Sequence, residues 1–148
     1  MNRGPLASDT AMVLAAGIGK RMRPLTATQP KPLVRVAGKS LIDHTLDKLD
    51  AAGIEKAVVN VHYLADALEG HFKARHQGPQ VAVSDERAQL LETGGGMVKA
   101  APLLPETFFC LNSDNIWLDG PEDVFHELSR AWDAVSYTHL RAHETRGN

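Results

Sequence analysis

Apolar residues in this chain fall into short blocks separated by polar, glycine-bearing segments. Ala11-Met12-Val13-Leu14-Ala15, Ala57-Val58-Val59-Asn60-Val61, Gln80-Val81-Ala82-Val83-Ser84 and Thr107-Phe108-Phe109-Cys110-Leu111 have the length and the side-chain character of buried strands. Between them the spacing becomes helical. Leu41, Ile42, Thr45, Leu46, Leu49 and Ala52 line one face of a helix. Ser40 opens that helix, with Asp43 as capping-box partner, and Gly53 closes it in the left-handed region. His44 falls off the apolar stripe and is expected at the surface. A second helix is predicted from Tyr63 to Arg75, with Leu64, Ala67, Leu68 and Phe72 on one side and Gln77-Gly78-Pro79 as its breaker. A short third helix covers Met97 to Ala101, after a loop of three glycines. A fourth runs from Pro121 to Asp133, with Val124, Phe125, Leu128 and Trp132 on one face. This alternation predicts an α/β fold, a Rossmann-like, mostly parallel sheet with helices on both faces. Ligands of such sheets bind beyond the carboxyl ends of the strands, where the strand order reverses.

Three polar segments follow predicted strands and can therefore share one rim. The first is Leu14 to Leu33, LAAGIGKRMRPLTATQPKPL. Gly17 and Gly19 permit close backbone approach to a ligand, and consecutive N–H groups form a concave anion site. Lys20, Arg21, Arg23 and Lys31 bring cations to the same loop. Pro24, Pro30 and Pro32 stiffen it, and Lys31 stands between two of them. This combination asks for a polyphosphate. The second segment is Leu90-Leu91-Glu92-Thr93-Gly94-Gly95-Gly96, glycines leading into a helix N-terminus. The third is Asn112-Ser113-Asp114-Asn115. Asp114 lies just past a strand, where a carboxylate can join phosphate and water around a hard ion such as Mg²⁺; such residues also form ordinary turns.

Composition excludes more than it selects. The 148 residues suggest one domain, long enough to bury a substantial core. A net charge of −2 gives no global case for a nucleic-acid or membrane partner, so the basic loop is a local feature. No apolar run reaches membrane-spanning length, and the first ten residues lack a secretory apolar core, so cytoplasm is the default. Cys110 is the only cysteine, which rules out an internal disulfide; within its apolar run it is expected to be buried and inert. His62, His71, His76 and His126 have no zinc-ligand spacing. His139 and His143 stand four apart but have no carboxylate partner.

The run Gly17-x-Gly19-x-Arg21-x-x-Pro24-Leu25-Thr26, followed by Pro30-Lys31-Pro32-Leu33, resembles the signature of the sugar-1-phosphate nucleotidylyltransferases. The likeness extends from about Met12 to Asp133. It implies that the phosphate of a sugar 1-phosphate attacks the α-phosphorus of a nucleoside triphosphate and that pyrophosphate leaves. It also implies roles for residues at matching positions. Ala15, Ala16, Gly17, Gly19, Lys20, Arg21, Lys31, Thr93, Gly94 and Asn112 would contact nucleotide. Arg21 and Lys31 would be catalytic, and Asp114 would hold Mg²⁺. Leu91 to Gly96 is similar to the branch that joins UTP to a sugar phosphate in cell-wall recycling. Thymidylyl- and guanylyltransferases acting on glucose or mannose 1-phosphate share the first loop. Residues 1–134 would form the N-terminal portion of a nucleotidylyltransferase domain. From about residue 135, VSYTHLRAHETRGN departs from the family pattern and is expected to be a non-native or disordered tail. The family places a second metal-binding aspartate and part of the sugar pocket in a further C-terminal half. The 148-residue chain is accordingly expected to bind nucleotide poorly and turn over little.

Other classes fit less well. A dinucleotide fingerprint needs a third glycine where this chain has Met22. A phosphate loop of the G-x-x-x-x-G-K-[ST] type fails because Arg21 follows Gly19-Lys20. A non-catalytic nucleotide or sugar sensor would have little need for Arg21, Lys31 and Asp114 together.

Overall fold

The computed structural model describes residues 4–132. In chain order its elements are β1 (Thr10–Leu14), a small hairpin of β2 (Arg35–Val36) and β3 (Lys39–Ser40), α1 (Leu41–Ala52), β4 (Lys56–Val61), α2 (Ala65–Ala74), β5 (Gln80–Asp85), α3 (Thr93–Ala100), β6 (Phe109–Asn112) and α4 (Val124–Ala131). The main sheet has the order β5-β4-β1-β6, and its three pairings are all parallel. The chain steps outward from β1 to β4 and β5, then returns through α3 to the far side of β1. Strand order therefore reverses at β1, and the register sets Leu14 between Asn60 and Asn112 at the carboxyl rim.

Alternation within each strand divides the core in two. Ala11, Val13, Ala57, Val59 and Val61 pack against Ile42, Leu46 and Leu49 of α1, Leu68 and Phe72 of α2, and Phe125 of α4. Met12 and Val58 face the other way, toward Ala100 at the end of α3. Helices thus cover both faces, as the alternation predicts. Ile42, Leu46 and Leu49 are fully buried, each worth roughly 1.5–3 kcal/mol relative to exposure.

Capping explains where α1 begins and ends. The Ser40 hydroxyl accepts from the Asp43 N–H at 3.2 Å, and Gly53 closes the helix at φ 91°. The reciprocal half of the capping box is absent from this end. The Asp43 carboxylate turns instead to His71 at 2.9 Å and Arg75 at 2.7 Å, tying α1 to α2. Burial alone would raise the Asp43 carboxyl. The hydrogen bonds and charges of His71, Ser40 and Arg75 outweigh it and hold the group below its ordinary 3.8.

Several expectations change. The glycines at 94–96 are not a loop, since α3 already begins at Thr93. The second helix starts at Ala65 because Leu64 adopts a left-handed conformation, φ 51°. The fourth begins at Val124, capped by Asp123, and buries Phe125 and His126, while Trp132 is exposed. Its buried histidine is held by the capping residue, with Nδ1 at 2.6 Å from Asp123. The β2–β3 hairpin was not signalled by hydrophobic alternation; Ala37 and Gly38, both at positive φ, form its turn. Cys110 is exposed, contrary to the buried position expected from its apolar run. It lies on β6, a sheet edge among the described residues, pointing to the face opposite Phe109 and Leu111, and partial desolvation still pushes its thiol up. The segment 135–148 and its two histidines lie outside the described residues.

Candidate active site

At the reversal of strand order the rim segments enclose a cleft of about 340 Å³. Its walls include Ala15, Ala16, Gly17, Gly19, Lys31, Thr93, Asn112 and Asp114 from the sequence-derived set. Lys20, Arg21 and Gly94 are not part of the wall. Lys20 and Arg21 are exposed on a single 3-10 turn just after Gly19, at the outer lip of the first segment.

The first segment is held by its own side chains. Gly19 lies at φ 73°, where a Cβ would stand 3.0 Å from Thr26 Cγ2 and 3.1 Å from Lys31 Cβ. Only glycine suits that position. The fully buried Thr26 donates its hydroxyl to the Gly19 carbonyl at 2.6 Å. Tyr63, after β4, donates to the Thr26 carbonyl at 2.7 Å. The segment is thereby folded back on itself and fastened to the start of the α2 region. Pro30 precedes the 3-10 turn that carries Lys31 and Pro32 lies within it; the Lys31 ammonium reaches Asp114 Oδ2 at 2.7 Å. These two side chains, 83 positions apart, are about one-third exposed and meet at the cleft mouth.

Sequence reasoning missed several members of this rim. Asn60 lines the cleft, its side-chain oxygen accepting from the Ala15 N–H at 2.7 Å. Glu86, fully buried, accepts from Asn60 Nδ2 at 2.9 Å and from the Leu91 N–H at 3.0 Å. His62 Nδ1 donates to the Glu86 carbonyl at 2.6 Å. Asn60 was visible as the lone polar residue inside the apolar block 57–61. A buried amide in a strand must find partners. Glu86 carried no such signal, because it sits in the polar run after β5.

No group of three metal-ligating side chains converges among the described residues. Asp114 is a single hard oxygen donor at a cleft mouth. It suits a divalent ion whose other ligands are phosphate oxygens and water, which is how Mg²⁺ is usually held.

The parallel sheet with helices on both faces has the fold of the nucleotide-diphospho-sugar transferases. The chain belongs to the nucleotidyl transferase family, whose model matches residues 10–144. It is 53% identical to the N-acetylmuramate alpha-1-phosphate uridylyltransferase of Caulobacter vibrioides, over 86% of this chain and 54% of that protein. It is 39% identical to the catalytic subunit beta of Danio rerio mannose-1-phosphate guanylyltransferase, over 79% of this chain and 34% of that protein. Among solved structures, the CTP:phosphocholine cytidylyltransferase of Streptococcus pneumoniae superposes with a TM-score of 0.62 at 28% identity, covering 76% of this chain and 47% of the other. The chain thus spans between about a third and about half the length of these relatives. No helix among the described residues is long and apolar enough to cross a membrane.

Proposed function

We propose that this chain carries the nucleotide-handling part of a uridylyltransferase that joins UTP to N-acetylmuramate 1-phosphate in cytoplasmic recycling of cell-wall sugar. The contact between Lys31 and Asp114 across the cleft carries the proposal, because it sets a phosphate-binding cation beside a metal-binding acid. The 53% identity to a relative of that name favours UTP and this sugar over the guanylyl branch.

In the reaction an oxygen of the sugar phosphate forms a bond to the α-phosphorus of UTP. The α–β bridging bond breaks, and pyrophosphate carries off its electron pair. Two anions must meet, so cations and orientation matter more than a covalent nucleophile. Backbone N–H groups of Ala16, Gly17 and Gly19 face the nucleotide beside Ala15, whose own N–H is held by Asn60, with Thr93 and Gly94 opposite. Lys31 leaves Asp114 and neutralises charge at the α-phosphate. Lys20 and Arg21, at the outer lip, meet the β- and γ-phosphates where the tail leaves the cleft, and Arg21 holds the departing pyrophosphate. Asn112, beside Leu14 in register, contacts nucleotide or sugar. Asp114 would hold Mg²⁺, which supplies charge neutralisation and a template for the phosphates.

Amide resonances followed during titration with UTP, GTP, dTTP and CTP, with and without Mg²⁺, test this reading even for weak binding. UTP with Mg²⁺ should move residues 15–19 and 93–96. If none of the four nucleotides moves them, the proposal fails. Pyrophosphate release with N-acetylmuramate 1-phosphate should be slow for the 148-residue chain, since it spans 54% of that relative; release as fast as the longer relative's would refute that expectation.

A further inference from the structure

Four rim elements are joined by one line of hydrogen bonds that the mechanism above does not use. It begins at the Ala15 N–H, where β1 enters the first glycine segment. That N–H donates to Asn60 Oδ1 at 2.7 Å. On the other side of the same amide, Asn60 Nδ2 donates to Glu86 Oε2 at 2.9 Å. The second oxygen, Oε1, accepts the Leu91 N–H at 3.0 Å, where the second glycine segment begins. Asn60 is 4% exposed and Glu86 0%. Among the described residues no cation pairs with Glu86, so burial is compensated by these neutral donors alone.

The geometry fixes every role in the line. Ala15 offers only a donor, so Asn60 must present its oxygen there. Its amino group must then face Glu86, which therefore accepts. Ala15 and Glu86 together set the flip of Asn60, and Asn60 in turn holds in place the residue from which the phosphate cradle begins. Gly96 shows how closely the parts fit, since a Cβ there would lie 3.0 Å from Glu86 Oε2 and 3.3 Å from Asn60 Nδ2. The third glycine of α3 thus allows the helix to rest on the bridge.

We propose that Asn60 and Glu86 are positioning residues that hold the two glycine segments at the spacing a nucleoside triphosphate must span. The proposal rests on the uridylyltransferase reading for its ligand. A ligand that touches both segments needs the bridge. A ligand that touches only the first does not.

Glu86→Gln keeps the volume but replaces one acceptor with an NH₂ group, which then faces either Asn60 Nδ2 or the Leu91 N–H. Two measurements compare it with the unmodified chain. In the free protein, hydrogen exchange at Ala15, which does not touch Glu86, should quicken about tenfold, the size of one lost buried hydrogen bond. Unchanged exchange at Ala15 overturns the coupling, whatever nucleotide the protein binds. In titrations, UTP with Mg²⁺ should bind about tenfold more weakly while inorganic tripolyphosphate stays within about twofold. Equal weakening of both makes the bridge merely structural and overturns the proposal. Failure of the unmodified chain to bind UTP would defeat the functional reading and leave the exchange result to decide the coupling. Should Glu86→Gln fail to fold, Asn60→Ala cuts the line at its middle and is expected to give the same split between the two ligands.

Discussion

The two glycine segments at the rim look alike in sequence and are built on different physics. Each follows a strand and each contributes to one wall of the cleft. In the first, the constraint is conformational: Gly19 takes a left-handed φ of 73°, and its missing Cβ leaves room for Thr26 and Lys31. In the second, the glycines lie within a right-handed helix, so backbone conformation asks nothing special of them. Gly94 has open space around its Cβ position, and Gly96 is needed because Glu86 and Asn60 stand behind it. A cluster of glycines therefore marks a place of close approach, but not whether backbone, side chain or ligand makes that approach.

The largest expected effect would break the comparison at its functional end. Lys31→Ala removes the cation of the first segment and is expected to lower whatever turnover the chain shows by about a hundredfold, the scale of losing one preorganised charge stabiliser. Thermal melting should hardly move, because the pair with Asp114 is one-third exposed and such pairs contribute about 1 kcal/mol or less. Undiminished pyrophosphate release would remove Lys31 from the mechanism.

Alanine at the glycines sharpens the contrast. Gly19→Ala should cost about 1–3 kcal/mol, from left-handed strain together with crowding against Thr26 and Lys31. Gly94→Ala should change stability by about 0.5 kcal/mol or less, or raise it slightly, since alanine is the better helix former and nothing is within 4 Å. Denaturant midpoints of the two variants settle it; equal losses would erase the distinction. Between these lies Tyr63→Phe. It removes the hydroxyl that holds the Thr26 carbonyl and should cost about 1 kcal/mol, with faster amide exchange confined to the first segment. A uniform change across both segments would contradict the separate bracing described here.

The smallest effect sets the conditions for those comparisons. Asp43 is held below 3.8 in the fold, so its contribution is present above that value and is lost as pH falls through the lowered one. Melting temperature should drop below about pH 4, and Asp43→Asn should flatten that part of the profile. An identical acid profile for the variant would show that other carboxylates govern it.

Much of the sheet was legible because β1, β4 and β5 are apolar blocks and their helices carry one-sided stripes. The cap residues Ser40 and Gly53 were legible for the same local reason. Lys31 and Asp114 were legible as chemistry, and their positions after strands implied a shared rim. The Asn60–Glu86 bridge was not, because it depends on three strands coming into register. The start of α3 was misread because glycine propensity is local, whereas the packing of Gly96 on Glu86 is not. Cys110 was misplaced because an apolar strand says nothing about which neighbours flank it, and β6 is a sheet edge among the described residues.

The ammonium of Lys31 and the carboxylate of Asp114 neutralise one another before any substrate arrives. An anion that draws the lysine away strands the aspartate, and a bare cation that claims the aspartate strands the lysine. Only a visitor bringing both signs at once, such as a nucleotide already complexed to its metal, can exchange partners with the pair without leaving a charge alone. A modest preference for the assembled complex over its separate components is therefore set by a contact between two of the protein's own side chains.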